Sequence, residues 1–319
     1  MTALLADVGG TKTQLAQLAD GGSIIHKAYY KNSQFKDFET LVQSYLAHHS
    51  TEQNTVSKAV IAVAGPVQDG KICTMTNLNW HINGPHLATQ FGLTSVDLLN
   101  DLQASAWGFT DESINSKLTR LKGDDIDFNK PVVVISPGTG LGQACIFPDR
   151  NRTHDHYIIH PTEGGHKTLA PFNATIAQLI NQHWVQHDQP VSWENWFSGS
   201  GLHRLYGALH PNQTPPSNEE MTRLALADPE SPSGQCLTLF CQGIFAEAGN
   251  LALQYLSWGG VILAGGIPPK LKPLFQQTSN IAYFTRKNEY LDLLDKVPIA
   301  LCEEEDIPLH GAAIYSQLT

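Results

Sequence analysis

The chain lacks several features that would class it quickly. Its five cysteines, Cys73, Cys145, Cys236, Cys241 and Cys302, are scattered, odd in number and form no C-x-x-C pair. That usage suits a reducing compartment, with the thiols packed as small hydrophobes. Positive charge is scarce: 20 lysines and arginines stand against 30 acids, a net charge of −10. Nucleic acids and anionic membranes both demand a basic footprint, so neither is an expected partner. A phosphate ligand survives this test, because backbone N–H groups and a metal ion can hold one. No apolar run approaches the ~18 residues of a membrane span. The first residues show neither a basic n-region nor an apolar h-region, so no secretory leader is expected. Two common nucleotide signatures are missing as well. There is no Gly-Lys-Ser/Thr loop, and no G-x-G-x-x-G followed by a helix and an acidic ribose ligand.

What is present is a large apolar fraction, 41% of 319 residues, enough for roughly two packed domains. Val132–Gly142, VVVISPGTGLG, organises the rest. A β-branched run stops at Pro137 and empties into Gly138, Thr139, Gly140 and Gly142, as a buried strand ending in a sharp turn would. Such a turn aims N–H groups at an anion. Ala3–Thr11, ALLADVGGT, repeats the arrangement about 130 residues earlier, and Val261–Gly266 repeats it a third time. Three strands, a helix, a strand and a helix recur in each half. This order predicts two α/β domains with mixed sheets, one of residues 1–109 plus 307–319 and one of 110–306. Predicted helices include Phe38–His48, Leu102–Gly108, Ala170–His187 and Leu237–Trp258; region 110–130 reads as a polar connection.

Four groups of residues could carry chemistry. Asp7 lies inside an apolar strand, where an unpaired carboxylate is expensive unless a cation balances it. Beside an anion-binding turn it would hold Mg²⁺, directly or through water. Asn100-Asp101 closes a strand before a helix, where ligand sites of α/β sheets lie. Asp101 is either the helix cap or a general base, with Asn100 orienting the nucleophile. Glu163-Gly-Gly-His166 brings an acid and a histidine onto a free backbone; it is either a solvated loop or a ligand site. The histidine has no His/Cys cluster at ligand spacing beside it, so zinc is not expected. Glu194 sits among Trp193, Trp196 and Phe197, a setting that suits sugar hydroxyls.

With these pieces in order, the sequence resembles the bacterial glucokinases of the sugar kinase/actin-like ATPase superfamily over nearly its whole length. DVGGT at Asp7–Thr11 resembles the first phosphate motif, SPGTGLG at Ser136–Gly142 the second, and LAGGI at Leu263–Ile267 the adenosine motif. LLNDLQA at Leu98–Ala104 resembles the segment with the catalytic aspartate. MTNLNW at Met75–Trp80, EGGH at Glu163–His166 and VSWENWFSGSGL at Val191–Leu202 resemble the sugar-contacting segments. The resemblance implies two domains of ribonuclease H-like/actin-like ATPase topology with an interdomain cleft holding Mg-ATP. It implies phosphorylation of glucose at the 6-hydroxyl with Asp101 as base. Sugar contacts would be Asn77, Asn100, Asp101, Glu163, His166 and Glu194. Nucleotide contacts would be Asp7, Gly9, Gly10, Thr11, Lys12, Gly138, Thr139, Gly140, Gly265 and Gly266, with Asp7 toward Mg²⁺. A cytoplasmic homodimer is implied too.

The sequence departs from the pattern at Lys12, Thr13 and Gln14, where relatives carry Asn and Arg. GGTKT is also similar to a neighbouring group of repressors and kinases. That group has a cysteine-rich zinc motif after its E-x-G-H, and here TLAPFN follows Lys167 instead. A kinase for another hexose, such as N-acetylglucosamine or N-acetylmannosamine, shares all the phosphate motifs. A non-catalytic sugar sensor is the other alternative.

Overall fold

The structure, a computed structural model, describes residues 2–49, 56–75, 78–149 and 157–319. It is α/β, and its two large sheets are mixed. The chain packs as two compact units, Met1–Asn115 with Asp306–Thr319, and Ser116–Glu305.

The first unit is built on strands β1 (Thr2–Val8), β2 (Lys12–Leu18), β3 (Ile24–Lys31), β4 (Val56–Val63) and, further along the chain, β8 (Ser95–Asn100). Between β4 and β8 lies a small antiparallel sheet of β5 (Val67–Gln68), β6 (Ile72–Thr74) and β7 (His81–Asn83). The large sheet has the order β3-β2-β1-β4-β8. β1 pairs antiparallel with β2 and parallel with β4, and β4 pairs parallel with β8. β1 and β4 are central and buried almost throughout, which is why their sequences are near-continuous apolar runs. β3 is the edge and keeps much of its surface exposed.

Helix Asp101–Gly108 crosses helix Ile307–Leu318 at very short range. A Cβ added at Gly311 would fall 1.6 Å from the Ala104 carbonyl oxygen. Only a glycine permits that approach, and backbone cannot yield as a flexible side chain could. Gly311→Ala is therefore expected to cost at least about 1–3 kcal/mol, as overpacking does. Urea unfolding checks this: an unchanged midpoint would show that the helices do not meet so closely.

The second unit carries β9 (Thr119–Lys122), β10 (Val132–Pro137), β11 (Leu141–Pro148), β12 (Tyr157–Thr162), β13 (Gly260–Leu263) and β14 (Ile299–Leu301). Their order is β12-β11-β10-β13-β14-β9. The β12-β11-β10 meander is antiparallel and the β10-β13-β14 part is parallel. This repeats the sequence of senses in the first unit, with β9 added antiparallel at the edge. Helix Pro232–Tyr255 is the largest core element, capped by the Ser231 hydroxyl and ended by Leu256 in the left-handed region. Phe197, Phe240, Phe245, Phe275 and Phe284 are fully buried in this unit's core.

Several expectations need correction. Region 110–130 is more than a connection: it holds the short helix Glu112–Asn115 and β9. β9 was hidden because TRLK is short and mostly polar, an edge strand half-buried except at Arg120. The helix read as Ala170–His187 starts at Ala174, because Asn173 caps it through Ile176 N–H. The helix read as Leu237–Trp258 starts at Pro232, its Pro-first turn hidden in a polar stretch. That helix also qualifies the absence of long apolar runs. It is long and apolar enough to cross a membrane, with a mean hydropathy of 1.3, yet 78% of that stretch is buried in the protein. All five cysteines are buried free thiols.

Candidate active site

In the first unit the turn between β1 and β2 is held tightly. Gly9 N–H donates to the Lys12 carbonyl at 3.0 Å. Asn32, 2% exposed, clamps the turn from the side. Its Nδ2 donates to the Gly9 carbonyl at 2.9 Å, its own N–H to the Thr11 carbonyl at 3.0 Å, and its Oδ1 accepts from the Thr13 hydroxyl at 2.8 Å. Thr11 and Lys12 face solvent. A rigid turn with its tip in water is ready to present N–H groups to an anion.

Asp7 stands on β1 just before this turn. Loss of water pushes its carboxyl up to about 7, and the charges of Asp101 and Asp306 push the same way. The structure thus brings Asp7 and Asp101 together, and adds Asp306. Burial acts to raise Asp306 and is the largest single influence, but the hydrogen bond and charge of Lys27 together with the hydrogen bonds of Tyr29 and Gln14 hold it low. The bonds are Lys27 Nζ to Asp306 Oδ2 at 2.8 Å and Tyr29 Oη to Asp306 Oδ1 at 3.1 Å. Sequence reasoning missed Asp306. It follows three glutamates and so reads as part of a solvated charge run; the Pro308 after it was the available sign of a helix start.

Asn100, the last residue of β8, resolves the ambiguity over the cap. Its Oδ1 accepts from Leu102 N–H at 3.0 Å and Gln103 N–H at 3.4 Å, and its Nδ2 donates to the Gly65 carbonyl at 3.4 Å. Asn100 is therefore the N-cap, and Asp101 is the first helical residue. One Asp101 oxygen accepts from Leu102 N–H at 2.8 Å. Asn77 lies outside the described residues.

In the second unit three predicted residues converge. Glu194, on the short helix Trp193–Trp196, accepts from Leu141 N–H at 2.8 Å through Oε2. Its Oε1 lies 3.9 Å from His166 Nε2, which is 3.8 Å from Glu163 Oε2. Glu194 is 29% exposed, His166 62% and Glu163 81%, so the cluster is anchored at Glu194 and open at Glu163. The short turn Gly164–His166 rests on β11: a Cβ at Gly165 would come within 2.1 Å of the Leu141 carbonyl oxygen. The two glycines are therefore a packing requirement that sets His166 toward Glu194.

The glycine turns of this unit also meet. Gly138 N–H donates to the Gly140 carbonyl at 2.8 Å, and Gly199 N–H to the Gly138 carbonyl at 2.7 Å. Ile267 N–H reaches the Pro137 carbonyl at 3.4 Å, which lays Gly265-Gly266 beside the end of β10. Thr139 is exposed at the tip.

Among the described residues no group of three or more His, Cys, Asp or Glu forms a ready metal cluster. The donors near Asp7 are nonetheless carboxylate oxygens, and one is destabilised by like charge. That fits a hard dication held by one or two carboxylates plus ligand oxygens and water, as Mg²⁺ prefers.

Comparison with known proteins follows the same outline. The glucokinase family model matches residues 4–319. The glucokinase of Nostoc punctiforme is 31% identical, over 98% of this chain and 98% of its own. The crystal structure of a glucokinase from an Antarctic psychrotroph superposes with a TM-score of 0.85 at 27% identity, covering 100% of this chain and 99% of that one. A ROK family glucokinase from Streptomyces griseus, solved with glucose and AMPPNP, superposes at 0.65 with 17% identity over 100% of both chains, a likeness of fold.

Proposed function

Since the chain belongs to the glucokinase family, we propose that it is an enzyme transferring the γ-phosphoryl group of ATP to the 6-hydroxyl of D-glucose. The observation that carries the sugar half is the convergence of Glu163, His166 and Glu194 beside the Leu141 N–H. Two carboxylates and an imidazole in one place match a polyhydroxylated ring, offering acceptors and a donor for paired hydroxyls. A site of that kind rejects a sugar lacking a hydroxyl, because its own polar groups are left unpaired.

In this reading Asp101 takes the proton from the attacking hydroxyl. Asn100 keeps the helix start in place through its Oδ1, and its Nδ2, which makes one bond to the Gly65 carbonyl, has a second proton to offer the sugar. The turns Gly9–Lys12 and Gly138–Gly140 would hold phosphates through the N–H groups at their tips, those of Gly9 and Gly138 being used within the turns, with Lys12 adding a point charge. Gly265-Gly266 belongs to the adenosine side. Asp7 would hold Mg²⁺, directly or through water, and the ion would neutralise charge on the phosphates. Asn77 remains assigned to the sugar, and a cytoplasmic homodimer completes the reading.

The test is ADP release from Mg-ATP with glucose, mannose, fructose and N-acetylglucosamine. Glucose is expected to give the highest kcat/KM. Preference for N-acetylglucosamine would keep the chemistry and change the substrate. No turnover with any sugar, together with a glucose-dependent rise in Tm, would make the chain a sensor.

A further inference from the structure

Glu247 is the one charged residue among the buried polar side chains of the described residues, with 0% of its surface exposed. It sits in the helix Pro232–Tyr255, which carries no other charged residue. A buried carboxylate is costly and does not improve packing, so its partners matter.

Both oxygens are engaged. Lys167 Nζ lies 2.8 Å from Oε1, Gln143 Nε2 donates to Oε1 at 3.0 Å, and Asn250 Nδ2 donates to Oε2 at 3.0 Å. Two of these partners lie under the sugar-contact segments. Lys167 directly follows His166, and its carbonyl accepts from Trp193 N–H at 3.0 Å, the residue before Glu194. The next residues continue that seam: Thr168 bridges Ser192, and Leu169 N–H donates to the Val191 carbonyl at 2.7 Å. Gln143 packs beneath Gly164, where an added Cβ would fall 2.0 Å from its Oε1. Its backbone carbonyl accepts from the Thr162 hydroxyl, which in turn accepts from Gly164 N–H at 3.1 Å.

We propose that Glu247 is a positioning residue for sugar binding. It ties Lys167 and Gln143 to the core helix, and so fixes the turn bearing Glu163 and His166 in register with the segment bearing Glu194. This inference rests on the assignment of those three residues to glucose. The open side of the cluster explains the need: Glu163 and His166 are largely exposed, and among the described residues the ion-pair contacts of their side chains are with each other and Glu194. An anchor one residue on, at Lys167, limits their freedom before the sugar arrives. Pre-ordering of that kind improves affinity by lowering what binding must immobilise.

The test is steady-state kinetics on the full chain for Glu247→Gln, Lys167→Gln, the double variant and His166→Ala. Glu247→Gln keeps the shape; Lys167, whose side chain is 40% exposed, can turn into water, and Lys287, the other cation facing Glu247, keeps its bonds to the Ala246 carbonyl and Asn250 Oδ1. KM for glucose is expected to rise about tenfold in each Gln variant, the size of one lost charged hydrogen bond. kcat and the KM for ATP should change less than twofold. The double variant should show no further rise, as two ends of one interaction do. An unchanged glucose KM in both single variants, with His166→Ala still raising it, would overturn the inference and leave the function standing. Equal damage to kcat and to both KM values, with a lower Tm, would overturn it too, because Glu247 would then be merely structural. If the unsubstituted chain neither turns over glucose nor changes its tryptophan fluorescence with it, the functional reading itself fails.

Discussion

Asp101→Ala is expected to lower kcat on glucose by about 10²–10⁴, the usual worth of a positioned general base. The fold should survive, because the local start of helix Asp101–Gly108 does not depend on this side chain. Asn100 supplies the cap through Leu102 and Gln103 N–H, and an intact cap typically keeps about 1 kcal/mol in place. The Asp101 contact to Leu102 N–H is lost, and Asn100 duplicates it. The expected pattern is therefore a collapse of kcat, a small change in KM for glucose and a Tm within a few degrees of the parent. Asp101→Asn separates proton transfer from shape, since it keeps the volume but accepts no proton; it should resemble the alanine variant. Turnover near the parent value in either variant would remove Asp101 from the mechanism.

The reading of this region shows how far a sequence carries. A strand closing in Asn-Asp before a helix is visible in LLNDLQA, and with it the candidate base. Which of the two residues caps is not visible, because Asn and Asp cap almost equally well and the choice turns on where β8 stops. The glycine turns were legible for a similar reason. Each follows a strand buried on both faces, so an apolar run ends abruptly in glycine. The clamp by Asn32 was not legible, since it joins the β1–β2 turn to a residue beyond β3. Glu247 was hidden further: its partners Gln143 and Lys167 are 104 and 80 positions away in the chain. Within its own helix it looks like any surface glutamate. Long-range polar partners leave no periodic trace, whereas burial of apolar faces does.

Asp7 shows the same limit from the other side, and gives the second large effect. Its place in an apolar strand made it conspicuous, but its cost depends on Asp101 and Asp306, which only the fold supplies. The folded chain holds its proton up to about pH 7, while an unfolded chain releases it near 3.8. A carboxyl with a raised folded pKa contributes fully below the unfolded value and loses that contribution as pH rises through the folded one. Asp7→Asn should therefore match the parent in stability near pH 4 and exceed it increasingly toward pH 8. At about 1.4 kcal/mol per pH unit, the gap above pH 7 reaches up to about 4 kcal/mol. Urea midpoints at pH 5 and pH 8 measure it, and a gap that does not grow with pH would refute the assignment. The same variant should lose turnover with Mg-ATP, because an amide cannot match the carboxylate toward a hard cation. The two effects have one cause. On the proposed reading, the charge that burial and its like-charged neighbours destabilise is the one that would face a dication and its phosphates, and binding them below pH 7 would release the proton. Stabilisation by Mg-ATP should accordingly grow more steeply between pH 5 and pH 8 in the parent than in Asp7→Asn, where only the ionisation of the ATP terminal phosphate is left to change it. A merely structural aspartate would show the first dependence but not the second.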